Sequence, residues 1–274
     1  MRQEISVSVI LPVLNEADNL SWLIPTLYSS LKKYEFEVIV IDDNSTDNTS
    51  YVVNNLISTF PSVRYYIRSG ESSLTKSILE GMLASKMEFV AWMDADGSMP
   101  ISELVSFIGI VESANEVDAV IGSRFVVGGG FKGMNPKNKT SARDFIKNVY
   151  NSNDSISAIF LSRLLNLYLR LTVGTGVKDL TSGFIVIKRN KLEIEDFRGS
   201  YGEYFPRLVY QLKKRNLNVK EKGYICLPRV LGESKTGSNL FQLITRGLPY
   251  IITGNSILVN RARSKISHAW ASND

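Results

Sequence analysis

The chain has 274 residues, 44% of them hydrophobic, with 32 Lys and Arg against 27 Asp and Glu for a net charge of +5. That length holds one large α/β domain with room for a small appendage. One cysteine, Cys226, excludes an internal disulfide, and one histidine, His268 near the C-terminus, argues against Ser–His or Cys–His nucleophile pairs and histidine-rich metal sites. The chemistry left is that of carboxylates, Arg, Lys, backbone amides and a metal.

In chain order, Ser6 to Leu11 reads as a strand ended by Pro12. Asp18 to Lys33 follows as a helix, with Leu20, Leu23, Ile24, Leu27 and Leu31 at helical spacing and Pro25 bending it or shifting its start. Glu37 to Ile41 is the second strand, and Ser45 or Thr46 caps a helix running to Ser58. Ser62 to Ile67 is a strand, Ser73 to Lys86 a helix, Glu88 to Met93 a strand, Ile101 to Ala114 a helix and Ala119 to Ile121 a strand. Continuous apolar strands separated by helices predict a parallel sheet covered on both faces. From Val127 to Ser157 the pattern is lost. Gly128-Gly129-Gly130 and a polar run open a loop with a short helix over Ala142 to Val149, read as a lid, an acceptor-binding insertion or disorder. Ile159 to Leu171 is an apolar helix carrying Arg163 and Asn166, Phe184 to Ile187 a strand, Tyr204 to Arg215 a helix, and Val219 to Leu227 a strand holding Cys226 as a buried thiol.

The tail from Asn239 is apolar but interrupted by Arg246, Pro249 and Gly254, and its longest uncharged run, Gly247 to Asn260, has 14 residues. About 20 are needed to span a bilayer, so it reads either as an in-plane helix at a membrane surface or as a segment packed on the main domain. Charge is uneven. Residues 1–100 carry 7 Lys/Arg against 13 Asp/Glu, and residues 204–274 carry 12 against 3. The basic half suits an anionic membrane or a phosphorylated substrate, or is a solvated surface. Nucleic acid is not expected, because no single-strand platform or helix-turn-helix is evident. Met1 to Glu4 runs straight into a strand with no secretory signal, and with the lone cysteine this points to the cytoplasm.

In a parallel sheet the ligand crevice lies beyond the carboxyl ends of the strands. Asp42 and Asp43 end the second strand, Asp94 and Asp96 follow the fourth, Pro12, Asn15 and Glu16 follow the first and Arg124 follows the fifth, so the polar residues converge on one edge. Two carboxylates one residue apart after a buried strand suit Mg2+ or Mn2+ held with a substrate's phosphates. An acidic turn closed by Gly97 is the alternative.

Four segments, Val9-Ile10-Leu11-Pro12-Val13-Leu14-Asn15-Glu16, Val40-Ile41-Asp42-Asp43-Asn44-Ser45-Thr46-Asp47, Met93-Asp94-Ala95-Asp96 and Gly122-Ser123-Arg124-Phe125, resemble the inverting family 2 glycosyltransferases of GT-A fold. Asp179-Leu180-Thr181-Ser182-Gly183-Phe184 and Gly232-Glu233-Ser234-Lys235 resemble one branch of it, the dolichol-phosphate and polyprenyl-phosphate mannosyltransferases and their glucosyl relatives. The resemblance runs from Ser6 to Asn239 apart from the insertion. It implies a GT-A domain over residues 1–238 (insertion 130–157) and an amphipathic tail over 239–274.

It further implies that Pro12, Leu14, Glu16, Ile41 and Asp43 hold the nucleoside of a nucleotide-diphosphate sugar of GDP-mannose or UDP-glucose type. Asp94 and Asp96, about Ala95, would hold the divalent ion, and Ser98, where members often carry Gln, is the remaining candidate ligand. Arg124, Arg229 and Lys235 would surround the phosphates. Arg163 and Ser182 are candidates for the acceptor, a lipid phosphate at the cytoplasmic membrane face, reached through the membrane surface or a membrane protein partner. A phosphate oxygen is already anionic and needs no strong base. A sugar-hydroxyl acceptor would need one, for which Glu203 or Asp179 is the candidate; otherwise Asp179 orders its loop and Glu203 is an exposed helix residue. The chain departs from the family at Leu14, usually aromatic, and at Ser73, usually Gly. Two other readings stay open: a nucleotidyltransferase and a non-catalytic sugar-nucleotide-binding module.

Overall fold

The computed structural model describes residues 5–131, 156–231 and 240–271, without the side chains of 156–159, 240–244 and 264–271. The insertion expected over 130–157 falls almost wholly outside the described residues, as does the segment Gly232-Glu233-Ser234-Lys235.

Strands and helices alternate as β1 (Ser6–Val13), α1 (Ala17–Leu31), β2 (Glu35–Asp42), α2 (Thr49–Thr59), β3 (Val63–Ile67), α3 (Leu74–Ala84), β4 (Phe89–Trp92), α4 (Ile101–Ser113) and β5 (Ala119–Ser123). They are followed by α5 (Ile156–Val173), β6 (Ile185–Lys188), α6 (Tyr204–Lys214), β7 (Val219–Gly223) and α7 (Leu240–Ala271), with short 3-10 turns at Arg189–Lys191 and Ile194–Asp196. The seven described strands form one sheet in the order β3-β2-β1-β4-β6-β5-β7. All pairs are parallel except those of β6, which runs antiparallel between β4 and β5. The sheet is therefore mostly parallel, as the alternation predicts, with one reversed strand that the apolar pattern alone does not distinguish.

Both faces are covered. Val7, Val9, Leu11 and Val13 of β1 point into a core closed by α1, α2 and α4, while Ile10 points into a second core closed by α3, α5, α6 and by Ile257 and Tyr250 of α7. This is why the strands read as unbroken apolar runs. Val13 stands level with Asp42 at the ends of β1 and β2, whereas the last paired residue of β4, Trp92, stands opposite Ile10. β4 thus stops short of β1, and the chain after it turns inside a notch at the carboxyl edge.

Several expectations shift. Pro25 lies inside α1 without ending it. The helix after β2 starts at Thr49, not at Ser45 or Thr46, and Asp47 Oδ1 accepts the Thr49 amide at 2.9 Å. Ser45 and Thr46 bond instead to Asn15, which adopts a left-handed backbone, so the loops after β1 and β2 are tied together. β7 ends at Gly223 because the chain then changes partner: Gly130 N donates to the Tyr224 carbonyl and Cys226 N to the Gly130 carbonyl. Cys226 is half-buried rather than a core thiol. The tail forms the single helix α7, which packs Ile257 into the second core. Among the described residues no helix is long and apolar enough to cross a membrane.

Candidate active site

The turn after β4 is built by Gly97, whose φ of +79° is open to glycine, and where a Cβ would also run into Val230 and Trp22. Asp96 Oδ1 accepts the Ser98 amide at 2.9 Å and Asp96 Oδ2 pairs with Arg229 Nη2 at 3.1 Å. Arg229 Nη1 reaches both oxygens of Glu16, at 2.9 and 3.2 Å, and Asn19 Nδ2 donates to Glu16 at 2.7 Å. The backbone closes the same arrangement, with Val230 N on the Asp96 carbonyl and Leu227 N on the Ser98 carbonyl. Residues 227–231 are thereby fastened across the notch, against both the acidic turn and the start of α1. Of the site residues expected here, Glu16, Asp96 and Arg229 form one chain of ion pairs, and Ser98 is buried beside it, engaged through its backbone. Ala95 is buried in the first core and anchors the turn between the two carboxylates.

Asp94 opens onto the cleft. Desolvation by the cleft walls, then the charge of Asp96, push its carboxyl pKa up to about 7, with the Arg229 guanidinium opposing. The carboxylate keeps contact with solvent, which weakens the first cause and leaves repulsion between the two carboxylates as the better-founded one. Among the described residues no three His, Cys, Asp or Glu side chains group to hold a metal. A bare pair of carboxylates fits Mg2+ or Mn2+, which keep waters and take one or two carboxylates plus substrate phosphates. The donor set therefore fits such an ion, with Asp94 and Asp96 as its holders.

The expected nucleoside residues are distributed differently. Pro12 lines the cleft next to Asp94, and Leu14 is half-buried. Ile41 is only 1% exposed and belongs to the second core, so it supports the site from beneath and offers a nucleoside no open surface. Asp43 does not cap the helix that follows it. Its carboxylate is buried, paired with Arg68, and bound by the Ser72 hydroxyl and by the Ser73 amide at 2.8 Å. Arg68, itself buried and braced by Glu80 at 3.0 Å, is a site-edge residue that sequence reasoning missed. It lies just beyond β3, and no motif marks it.

Arg124 and Asp179 form the strongest pair. Arg124 Nε and Nη2 donate to the two Asp179 oxygens, each at 2.8 Å, and the Arg124 amide adds a third bond at 2.9 Å. Burial alone would lower the Arg124 pKa; the Asp179 charge and hydrogen bonds outweigh it and hold it well above the ordinary arginine value. Arg124 also donates to Thr181 Oγ1 at 2.7 Å. Of the two expectations for Asp179, the geometry matches loop ordering, because both oxygens are taken up by Arg124. Glu203 is likewise not an exposed helix residue: it is buried and accepts the amides of Ser200 at 2.8 Å and Tyr201 at 3.1 Å.

Two cavities meet at the Arg124–Thr181 contact. One, of about 340 Å³, is lined by Arg124, Arg163, Arg170, Asn166, Phe131 and neighbouring residues. The guanidinium carbons of Arg124 and Arg163 stand 5.4 and 5.3 Å from the Phe131 ring centre. Arg170 was missed in the sequence, although seven residues after Arg163 means two turns along the same helix face. The other cavity, of about 110 Å³, is lined by Pro12, Asp94, Thr181, Ser182, Tyr201, Tyr204 and Tyr250 among others. Ser182, expected beside Arg163, therefore lines the Asp94 cavity instead. Burial lifts the phenols of Tyr204 and Tyr250 above the ordinary tyrosine value, so both present a hydroxyl. Tyr250 comes from α7, so the tail packs on the main domain, one of its two readings, and lends a residue to this cavity. Lys235 lies outside the described residues.

The chain matches the family described as Glycosyl transferase family 2 over residues 8–194. It is 27% identical over 266 residues to the polyprenol monophosphomannose synthase of Mycolicibacterium smegmatis, covering 94% of this chain and 90% of that protein. It is 27% identical over 239 residues to the dolichol-phosphate mannosyltransferase of Pyrococcus furiosus, covering 87% of this chain and 61% of that longer protein. In structure it resembles glucosyl-3-phosphoglycerate synthase from Mycobacterium tuberculosis in complex with Mn2+ and UDP-glucose, with a TM-score of 0.62 at 16% identity over 93% of this chain and 79% of that one. The complex of that enzyme with phosphoglyceric acid gives a TM-score of 0.62 at 17% identity over 93% and 80% of the two chains. These likenesses bear out the expected GT-A fold.

Proposed function

The chain belongs to glycosyl transferase family 2, and from that membership we propose that it moves a hexose, mannose or glucose, from a nucleotide-diphosphate sugar to a polyprenyl phosphate at the cytoplasmic face of a membrane. What carries this reading is the cavity of three arginines, Arg124, Arg163 and Arg170, sharing a wall with the Asp94 cavity, while the two candidate bases are occupied elsewhere. A guanidinium cluster suits a phosphate acceptor. The names of the two relatives, a polyprenol monophosphomannose synthase and a dolichol-phosphate mannosyltransferase, point the same way.

In this reading residues 1–238 are the catalytic unit, and α7 of the tail closes one cavity through Tyr250. Asp94 and Asp96, with Ser98 holding the turn, would bind Mg2+ or Mn2+, which supplies the positive charge that lets the nucleoside diphosphate depart. Pro12, Leu14, Glu16 and Asp43 border the nucleoside, with Ile41 packed beneath them. Arg229, strung between Glu16 and Asp96, is placed to turn toward the diphosphate. Lys235 is assigned the same task by its motif. Arg163 and Arg170 orient the acceptor phosphate, with Arg124 as their fixed neighbour. An acceptor oxygen attacks the sugar C1 from the face opposite the diphosphate; its O–C1 bond forms as the bond from C1 to the diphosphate oxygen breaks, with that electron pair leaving on the diphosphate. One displacement inverts the anomeric centre and requires no general base.

The test is incubation with radiolabelled GDP-mannose or UDP-glucose, Mn2+ and a polyprenyl phosphate, followed by lipid extraction. Label in the lipid fraction that disappears with Asp94→Asn supports the reading. Label that enters only a sugar-hydroxyl acceptor overturns it.

A further inference from the structure

Helices α5 and α7 are separated in sequence by more than sixty residues yet lie side by side. Tyr168 OH donates to the Ile251 carbonyl at 3.2 Å and bonds Asn255 Oδ1 at 2.7 Å, and Arg261 Nη1 donates to the Thr172 carbonyl at 2.6 Å. Each helix buries one face, through Leu169 and Val173 on α5 and Thr253 and Ile257 on α7. The opposite face of α5 carries Phe160, Leu164, Leu167 and Leu171, spaced four, three and four apart and therefore on one line. They are 49–72% exposed. On α7 the line of Leu248, Ile252 and Val259 is 49–68% exposed. Two adjacent outward apolar stripes exceed the scattered surface leucines of a soluble domain.

What the face is built to meet follows from its charge. Neither α5 nor α7 contains an Asp or Glu; α5 carries Arg163 and Arg170, and α7 carries Arg263 four residues after Val259 on the side of its stripe, while Arg246 stacks on Tyr201 and Arg261 is held between the helices by the Thr172 carbonyl. Arg163 and Arg170 fall to one side of the α5 stripe, and both line the arginine cavity that Leu167 also borders. An apolar stripe flanked only by cations matches the surface of an anionic lipid layer, where the side chains enter the headgroup–acyl boundary and the guanidinium groups meet lipid phosphates. A second copy of the chain fits poorly. A two-fold contact would set this face against itself and bring cations against cations.

We infer that α5 and α7 together form a docking face for an anionic phospholipid surface, oriented so that the arginine cavity opens at the lipid boundary. This deepens the proposed function, in which the acceptor is a membrane lipid, but the binding itself is read without turnover.

The test uses the full chain and vesicles of phosphatidylcholine with and without phosphatidylglycerol, separated by flotation. Binding should require phosphatidylglycerol and weaken at raised salt. Leu171→Glu and Ile252→Glu, one exposed residue on each helix, should each weaken it about tenfold, or about 1.4 kcal/mol, with thermal unfolding unchanged. Absence of binding to the anionic vesicles overturns the inference, as does binding that neither substitution alters. A dimer in solution that the same substitutions dissociate, with no vesicle binding, assigns the face to self-association and also overturns it. The functional reading fails separately. Vesicle binding without transfer to any polyprenyl phosphate sinks that reading and leaves the docking face standing. Transfer to a water-soluble short-chain prenyl phosphate without vesicle binding does the reverse.

Discussion

Asp179→Asn separates a positioning carboxylate from a catalytic base. In the fold Asp179 is 0% and Arg124 14% exposed at their side chains, and three hydrogen bonds join them. Removing one member of a buried pair costs about 3–5 kcal/mol, because the remaining charge stays desolvated. Water reaches part of Arg124, and asparagine keeps one oxygen to accept from it, so the expected loss is at the low end, about 3 kcal/mol. With an unfolding entropy of about 2.1 cal/mol/K per residue, that lowers Tm by about 5 °C. Calorimetry of the variant, of Arg124→Leu and of the Asp179→Leu, Arg124→Leu double variant gives the coupling. The double replacement should be milder than either single loss, since an apolar pair leaves no stranded charge. In transfer assays at a temperature where the variant is folded, KM for the acceptor should rise more than kcat falls, because a loosened Arg124 disturbs the cavity it shares with Arg163. A base would behave otherwise: Tm would hold and kcat would drop about 10²–10⁴-fold with KM unchanged, and that outcome would refute the reasoning.

Arg229→Gln removes the cation 3.1 Å from Asp96. A unit charge at that range in a half-open cleft is worth about 1–4 kcal/mol, so Mn2+ titration of the nucleotide-free protein, read by electron paramagnetic resonance, should show affinity raised about tenfold; equal or weaker affinity counts against the carboxylate pair as the ion's holder. Glu37 supplies a pH signature. Burial by itself would raise its carboxyl, but Arg64 at 2.8 Å, the Ser8 hydroxyl at 2.7 Å and the Lys86 amide at 2.8 Å hold it below the ordinary glutamate value. A depressed folded pKa gives stability that is fully present above the unfolded value of about 4.3 and lost as pH falls through the folded one; urea melts across that acid range should show the loss, and Glu37→Gln should flatten it. Gly81→Ala places a methyl group against Ile10, which is 0% exposed. The helix gains about 1 kcal/mol from alanine, overpacking costs about 1–3, and a net destabilisation of about 1 kcal/mol is expected in denaturant melts; a stabilised variant would show that α3 moves freely off β1.

The periodicities of apolar residues were enough to place the strands and helices and to put Asp94, Asp96, Glu16 and Arg124 on one sheet edge, because strand direction and side-chain alternation are local properties written residue by residue. The motifs added the family. Partners across the fold were not legible in the same way. Arg68 on Asp43, Arg229 between Glu16 and Asp96, and Arg124 on Asp179 are separated by 25 to more than 200 residues, and nothing local says which carboxylate a distant arginine will neutralise. Likewise the sequence leaves Asp179 between a base and a loop-ordering residue, and Glu203 between a base and an exposed helix residue, until packing gives their oxygens donors.

By itself, then, the sequence determined the alternating architecture and the acidic turn at its carboxyl edge. The tertiary structure alone decided that β6 runs against its neighbours, that Ser182 and Arg163 line separate cavities, and that the C-terminal helix returns to lay Tyr250 beside Asp94 and its apolar stripe beside that of α5. The reason is physical. Patterning within a segment reports which face is buried, whereas pairing between segments depends on the closed geometry of the whole chain, which exists only once both cores have formed.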